Sequence, residues 1–370
     1  MNKWSRREFL ACAKVGGCAA LCLSHVASAQ TDTKSLVEAR YYEKLANRKI
    51  QCKLCPRECL IDDLERGYCG VRENIGGTYY TLVYGKPCTA HIDPIEKKPL
   101  FHFLPGTTAF SLATVGCNVM CKFCQNWEIS QATPEQVKSF DLSPYDVARI
   151  AEERGCASIA YTYSEPVIFT EYMYDSALQG NELNVRSVMI SNGYINPQPM
   201  HDLCAVLSGV KIDLKAYTER FYKELVAGEL RPVLDTLVLL RKENMWTEIV
   251  YLVIPGQNDD PGELKDLCTW ILNELGPDTP LHFSRFHPQY RLKNLPSTPI
   301  KTLTMAREIA RERGLNYVYT GNVPGDPGEN TYCPNCGEIV IRRIGFSVVD
   351  RSIKEGACAA CGTKIAGVWS

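Results

Sequence analysis

The chain has 370 residues, 45% of them hydrophobic, enough for one large α/β domain with small attachments. Its 41 basic and 42 acidic residues leave a formal charge of −1, which excludes a basic nucleic-acid-binding field and a long charged tail. Six histidines are few, whereas eighteen cysteines are many, and most of the cysteines fall in groups.

At the N-terminus, Arg6 and Arg7 precede an apolar, small-residue run from about Ala11 to Val26, and Ala27-Ser28-Ala29 then supplies an A-x-A cleavage signal. Residues 1–29 read as a twin-arginine-type leader, with a lone amphipathic helix as the alternative. The leader points to an exported, periplasmic protein, and only an uncleaved leader would tie the chain to a membrane. The run is short for a transmembrane span, and nothing beyond it is long and apolar enough.

Residues 30–108 form a cysteine-rich segment. Cys52, Cys55, Cys59 and Cys69 have the spacing C-x2-C-x3-C-x9-C, in which tight turns aim thiolates at one point. Four thiolates suit zinc or an auxiliary iron–sulfur cluster equally well. Cys88 is a spare ligand or a small core residue. His91, Asp93, Glu96, Lys97, Lys98 and His102 then form a polar segment, expected either to border an active site in part or to be a solvated loop.

From residue 109 to about 325, strands and helices alternate. Strands are expected at 109–115, 157–163, 185–190, 209–215, 247–254, 281–286 and 316–320, with helices at 144–154, 167–178, 197–207, 217–227, 231–243, 261–274 and 299–313. This order predicts parallel strands in a partial (β/α)6, TIM-like barrel or a doubly wound sheet, with chemistry at the strands' C-terminal ends. The first strand leads into Cys117, Cys121 and Cys124, spaced C-x3-C-x2-C. Three thiolates leave a four-coordinate metal site or cluster incomplete, and catalytic metal sites keep such a position open. Phe123 would shield the centre. Later strand ends carry Glu165, then Ser191 and Asn192, then Asp213 and Lys215, and finally His287. Cys156, Cys204 and Cys268 read as core residues.

Residues 326–370 carry Cys333, Cys336, Cys358 and Cys361 as two knuckles, each followed by a glycine. A zinc-ribbon-like structural module is expected, with rubredoxin-like iron as the close alternative.

The segment "CNVMCKFC" resembles the C-x3-C-x-aromatic-C motif of the radical S-adenosylmethionine (SAM) superfamily. "IDLK", "VIPGQND" and "CQNWEIS" resemble its pyruvate formate-lyase activating enzyme branch. "CKLCPRECLIDDLERGYCGVREN", "HIDPIEKKPLFHFLPG", "YTYSEPVIFTEY", "HFSRFHPQY" and "YVYTGNVPGD" further resemble the radical SAM enzyme of the AmmeMemoRadiSam system. This resemblance implies a [4Fe–4S] cluster on Cys117, Cys121 and Cys124, with SAM chelating the fourth iron. Reductive cleavage of SAM would give a 5′-deoxyadenosyl radical that abstracts hydrogen from a protein or small-molecule substrate. It also implies a low-potential electron donor, and it brings Memo-like and AMMECR-like proteins into view as partners. Glu165-Pro166 matches the end of the superfamily's G-G-E-P segment, with Tyr163 and Ser164 in place of the glycines. Phe123, Glu165, Ser191, Asn192, Asp213, Lys215 and His287 are the residues expected around SAM. Because SAM and reductant are cytoplasmic supplies, function in the cytoplasm stands beside export as an expectation. The competing readings are an exported iron–sulfur electron carrier, with a fourth ligand such as Cys156, and a zinc-bound interaction module with an inert barrel.

Overall fold

A computed structural model describes residues 36–370. The leader expected over 1–29 lies outside the described residues.

Eight strands form one sheet in sequence order: β1 (Thr89–Pro94), β2 (Thr108–Ala113), β3 (Ser158–Tyr161), β4 (Arg186–Ser191), β5 (Gly209–Asp213), β6 (Thr247–Val253), β7 (Leu281–Arg285) and β8 (Val318–Gly321). From β2 onward all neighbours pair in parallel. The crossovers run through α1 (Pro144–Glu153), α2 (Thr170–Glu182), α3 (Pro197–Cys204), α4 (Leu230–Lys242), α5 (Pro261–Glu274) and α6 (Ile300–Glu312). Local signals start several of these helices. Ser143 Oγ accepts the Asp146 amide ahead of Pro144, and Asp260 accepts the Glu263 amide ahead of Pro261.

The two faces of the sheet carry different chemistry. Phe110, Leu112, Ile159, Tyr161, Met189, Val210, Ile212, Ile249 and Phe283 pack with the helices in the main core. The alternate residues Ala109, Ala160, Val188 and Ile190 close instead on Ile95, Leu100, Phe103 and Leu104 in a second cluster. A parallel sheet with helices on one face and a filled interior on the other is the expected partial barrel. β1 adds an antiparallel edge, with His91 opposite Ser111 and Asp93 opposite Ala109. The polar segment around it is therefore not a loop throughout. Its strand carries Thr89, His91 and Asp93 at alternate positions, so it lacks the apolar run that marks its neighbours.

Two small antiparallel sheets precede the barrel: Tyr42–Lys44, Ile50–Cys52 and Leu60–Ile61 in one, and Val37–Glu38, Arg72–Ile75 and Thr78–Thr81 in the other. After it come the meander Thr331–Tyr332, Ile339–Ile344 and Ser347–Arg351 and the hairpin Ile353–Lys354/Ala357–Cys358. Buried polar groups bind this last module to the end of the barrel where the strands begin. Glu248 of β6 accepts the amides of Phe101 (2.9 Å) and His102 (2.8 Å) and bonds His282 Nε2 at 2.8 Å. Arg343 donates to the Phe101 carbonyl at 2.7 Å, and His102 Nδ1 bonds the Ala366 carbonyl at 2.6 Å. Among the described residues, no helix is long and apolar enough to cross a membrane.

Candidate functional site

β2 delivers the chain to Gly116, whose φ is +98°. A Cβ there would lie 2.7 Å from Val71 Cγ1 and 2.8 Å from the Cys69 carbonyl, so only glycine lets the next residues turn beneath the N-terminal segment. The loop that follows is docked by its own backbone: Met120 and Lys122 donate to the Val226 and Leu225 carbonyls, each at 2.8 Å. Those carbonyls belong to the π-helical turn Tyr222–Val226 after β5. Asn118 donates to the Tyr194 carbonyl at 2.7 Å, and Arg57 Nε to the Asn118 carbonyl at 2.7 Å. On the far side, Arg291 donates to the Lys122 carbonyl (2.9 Å), Gln289 to the Gln125 carbonyl (3.0 Å), and Tyr290 stacks on Trp127 with centroids 5.1 Å apart.

Cys121 is buried, and Cys117 and Cys124 are half-buried. Burial pushes the Cys121 thiol up to about 12 against the pull of Lys215, and burial beside Glu165 pushes Cys117 well up too. Thiols in such a place become thiolates when a metal supplies the compensating charge. Cys156 cannot complete the set. It lies before β3 against Thr108, at the start of β2, with the six residues of that strand between it and the cysteine loop. At about 3.3 Å per residue, that is roughly 20 Å.

Glu165 ties two neighbouring strand ends together. Its Oε1 accepts Val167 N (3.0 Å) and Ser191 Oγ (2.6 Å), and its Oε2 accepts Asn192 N (2.8 Å). Burial raises its pKa to about 7 against those three donors. Asn192 in turn reaches Asn118 Oδ1 at 2.8 Å and Cys117 Sγ at 3.9 Å. The glycine-like position before Glu165 is taken by Tyr163 with φ +65°, a strained backbone for an aromatic residue. Its carbonyl accepts Asn126 Nδ2 at 2.7 Å, and its phenol donates to Asp93.

Asp213 lies between Lys211 and Lys215, with Lys215 Nζ 3.0 Å from its Oδ2. Burial alone would raise Asp213, but the two ammonium groups bring it down to about 2. Burial lowers Lys211, whereas for Lys215 the attraction of Asp213 and of the cysteine loop overrides burial and raises it. Lys211 was legible in the sequence as a charge inside the otherwise apolar strand "GVKID", two residues before Asp213 and on the same face. Asp93 and Lys98 form a buried ion pair at 2.6 Å. The polar segment therefore divides: Asp93 and Lys98 reach Tyr163, while Glu96 and His102 face the C-terminal module. Phe123 is buried against Phe221, with centroids 5.6 Å apart. His287 is exposed and bonds Ser297 at 3.3 Å, on the loop that clasps the cysteine loop.

A family model described as the radical SAM superfamily matches residues 111–268. The uncharacterized protein MJ0808 of Methanocaldococcus jannaschii is 46% identical over 330 residues, 89% of this chain and 98% of the relative. The chain belongs to the radical SAM superfamily. A second protein of that organism, the uncharacterized MJ0674, is 24% identical over 288 residues, 72% of this chain and 76% of its own. Among solved structures, a domain of a pyruvate-formate lyase-activating enzyme from Bacteroides vulgatus is 13% identical with a TM-score of 0.40, covering 45% of this chain and 99% of that one. A radical SAM methyltransferase from Sphaerobacter thermophilus is 16% identical with a TM-score of 0.45, covering 61% and 71%.

Membership in the radical SAM superfamily implies a [4Fe–4S] cluster and SAM, and the donor set fits. Among the described residues, only Cys333, Cys336, Cys358 and Cys361 form a set of three or more potential ligands with all ligand atoms within 4.8 Å of one another. The sulfurs of Cys117, Cys121 and Cys124 do not all lie within 4.8 Å of one another, which suits thiolates on the separate irons of a cluster. The C-terminal four behave differently. Cys333 and Cys361 have sulfurs 3.6 Å apart, and Cys336 and Cys358 3.8 Å. A tetrahedral ion with bonds of about 2.3 Å keeps its thiolates about 3.8 Å apart, so these four sulfurs stand at a spacing that could hold a single metal ion.

Proposed function

We propose that the protein cleaves SAM reductively at Cys117, Cys121 and Cys124 and directs the resulting radical at a substrate within the barrel. The observation that carries this reading is the placement of a three-thiol loop beside the half-buried Asp213–Lys215 pair and the buried Asn192, at adjoining strand ends. When bound, the cluster and SAM supply the one-electron cleavage and the 5′-deoxyadenosyl radical that takes hydrogen from substrate. Lys215 offers an ammonium for the methionyl carboxylate of SAM, held in place by Asp213. Asn192 fixes the first cysteine, and Glu165 fixes Asn192. Phe123 and Phe221 pack apolar surface beside the loop and keep water from it. Asp93, Lys98 and Tyr163 place polar groups within the interior, where a substrate can be oriented.

The finer reading is an enzyme of the AmmeMemoRadiSam system, related in chemistry to the pyruvate formate-lyase activating enzymes. It acts on a protein or a small molecule, alongside Memo-like or AMMECR-like partners and a low-potential electron donor. Its support is the set of segments quoted above, spanning about residues 50 to 330. Zinc is the metal proposed for Cys333, Cys336, Cys358 and Cys361, supported by their 3.6 and 3.8 Å sulfur separations. Export through the leader is proposed on Arg6, Arg7 and the A-x-A signal. The test of the central reading is anaerobic incubation of the reconstituted protein with SAM and dithionite. 5′-Deoxyadenosine should accumulate with the unsubstituted chain and disappear with Cys121→Ala; equal yields from both would refute the site.

A further inference from the structure

The C-x2-C-x3-C-x9-C group of the N-terminal segment is a complete ligand set that the proposed reaction does not use. The structure gathers it. Cys52 opens its amide to the Cys59 carbonyl at 2.9 Å, and the Tyr68 amide points at Cys59 Sγ at 3.5 Å. Cys55 is buried at the start of the turn that Glu58 N closes on its carbonyl at 3.0 Å, just before Cys59, and Cys69 follows Tyr68, so the four thiols share one locality. Leu54, Arg57 and Val71 aim their amides at the sulfurs of Cys52, Cys55 and Cys69 respectively. Each sulfur therefore has one backbone donor, the arrangement that stabilises metal-bound thiolate.

The spread of the sulfurs separates the possible metals. In the same molecule, Cys333, Cys336, Cys358 and Cys361 converge to within 4.8 Å, and two of their sulfur pairs stand at the spacing of a single tetrahedral ion. No three of Cys52, Cys55, Cys59 and Cys69 converge in that way, and neither do the three cysteines of the barrel loop. In lacking that convergence the N-terminal group resembles the barrel loop and differs from the C-terminal module. A second observation points to a bound anionic centre. Arg72 is fully buried, and its Nη1 has no hydrogen-bond partner. Its ion-pair partner is Glu171, and the other groups whose charge it feels are Cys52, Tyr79 and Cys69. A cluster with four thiolates carries net negative charge and bridging sulfides able to accept from such a donor.

We propose that Cys52, Cys55, Cys59 and Cys69 hold a second [4Fe–4S] cluster, fully ligated by protein, with Arg72 as its buried counter-charge. The site touches the barrel loop directly: the Cys69 carbonyl packs on Gly116, next to Cys117, and Arg57, between Cys55 and Cys59, bonds the Asn118 carbonyl.

The test is metal loading of the full chain, independent of SAM cleavage. The triple variant Cys117→Ala/Cys121→Ala/Cys124→Ala, reconstituted anaerobically with iron and sulfide, should keep about four irons per chain and a [4Fe–4S] Mössbauer spectrum. Adding Cys59→Ala should remove that iron. Should the triple variant not fold, the unsubstituted chain gives the same answer: about eight irons and one single-ion metal support the proposal. About four irons with two zinc ions, or with an empty N-terminal site, would overturn it.

Discussion

At the scale of single residues, the site depends on a few side chains whose partners lie far away in sequence. Asp93 is one of them. Burial would raise its carboxyl, but Lys97, Lys98 and the Tyr163 phenol together hold it below the usual carboxylate range. A depressed acid contributes stability above its unfolded value, about 4, and that contribution fades as pH falls through the folded value. Asp93→Asn should therefore cost about 1–3 kcal/mol at pH 7, measured by denaturant unfolding of the metal-loaded protein. The difference from the unsubstituted chain should shrink steadily below pH about 4. Arg72→Met leaves the buried Glu171 without its counter-charge and should cost about 3–5 kcal/mol in the same assay. These pairings were not legible in the sequence. Tyr163 read as a departure from a glycine pair, and only the folded chain brings its phenol onto a strand seventy residues earlier. The cysteines were legible because metal spacing is local: turns two or three residues long fix where the sulfurs point, whatever the surrounding fold.

At the scale of elements, the cysteine loop is held from two sides. The π-helical turn Tyr222–Val226 takes two of its amides, and residues 289–291 clasp it with two hydrogen bonds and the Tyr290–Trp127 stack. An aromatic pair of this kind is worth about 1 kcal/mol, a factor of about five in a closing equilibrium. Tyr290→Ala should accordingly speed iron loss to a chelator by about that factor, followed by the decay of cluster absorption. The parallel strands and crossover helices were legible because each strand is a short, largely apolar run between turn signals. β1 was not, since its polar side chains face solvent or the barrel interior. The π-helical turn was read as plain helix, because nothing local distinguishes it from one; its widened carbonyls are used by Met120 and Lys122, a hundred residues away.

At the scale of the whole molecule, three cysteine groups sit around one barrel, and one of them converges to within 4.8 Å. The C-terminal module closes the end where the strands begin, through Arg343, His102 and Glu248, while the cysteine loop and the N-terminal segment occupy the opposite end. Such a segregation would keep an ion held by the C-terminal four apart from the proposed redox chemistry. Cys336→Ala should release the C-terminal metal, seen by elemental analysis, and leave the iron content of the barrel loop unchanged. On the proposed reading, the three-thiolate cluster leaves one iron for SAM. Electron–nuclear double resonance on the reduced protein, with SAM carrying 15N at its amino group, reads that contact directly. A 15N hyperfine coupling that vanishes in the Cys117→Ala/Cys121→Ala/Cys124→Ala variant is the predicted result; a reduced cluster with no 15N coupling under saturating SAM would contradict it.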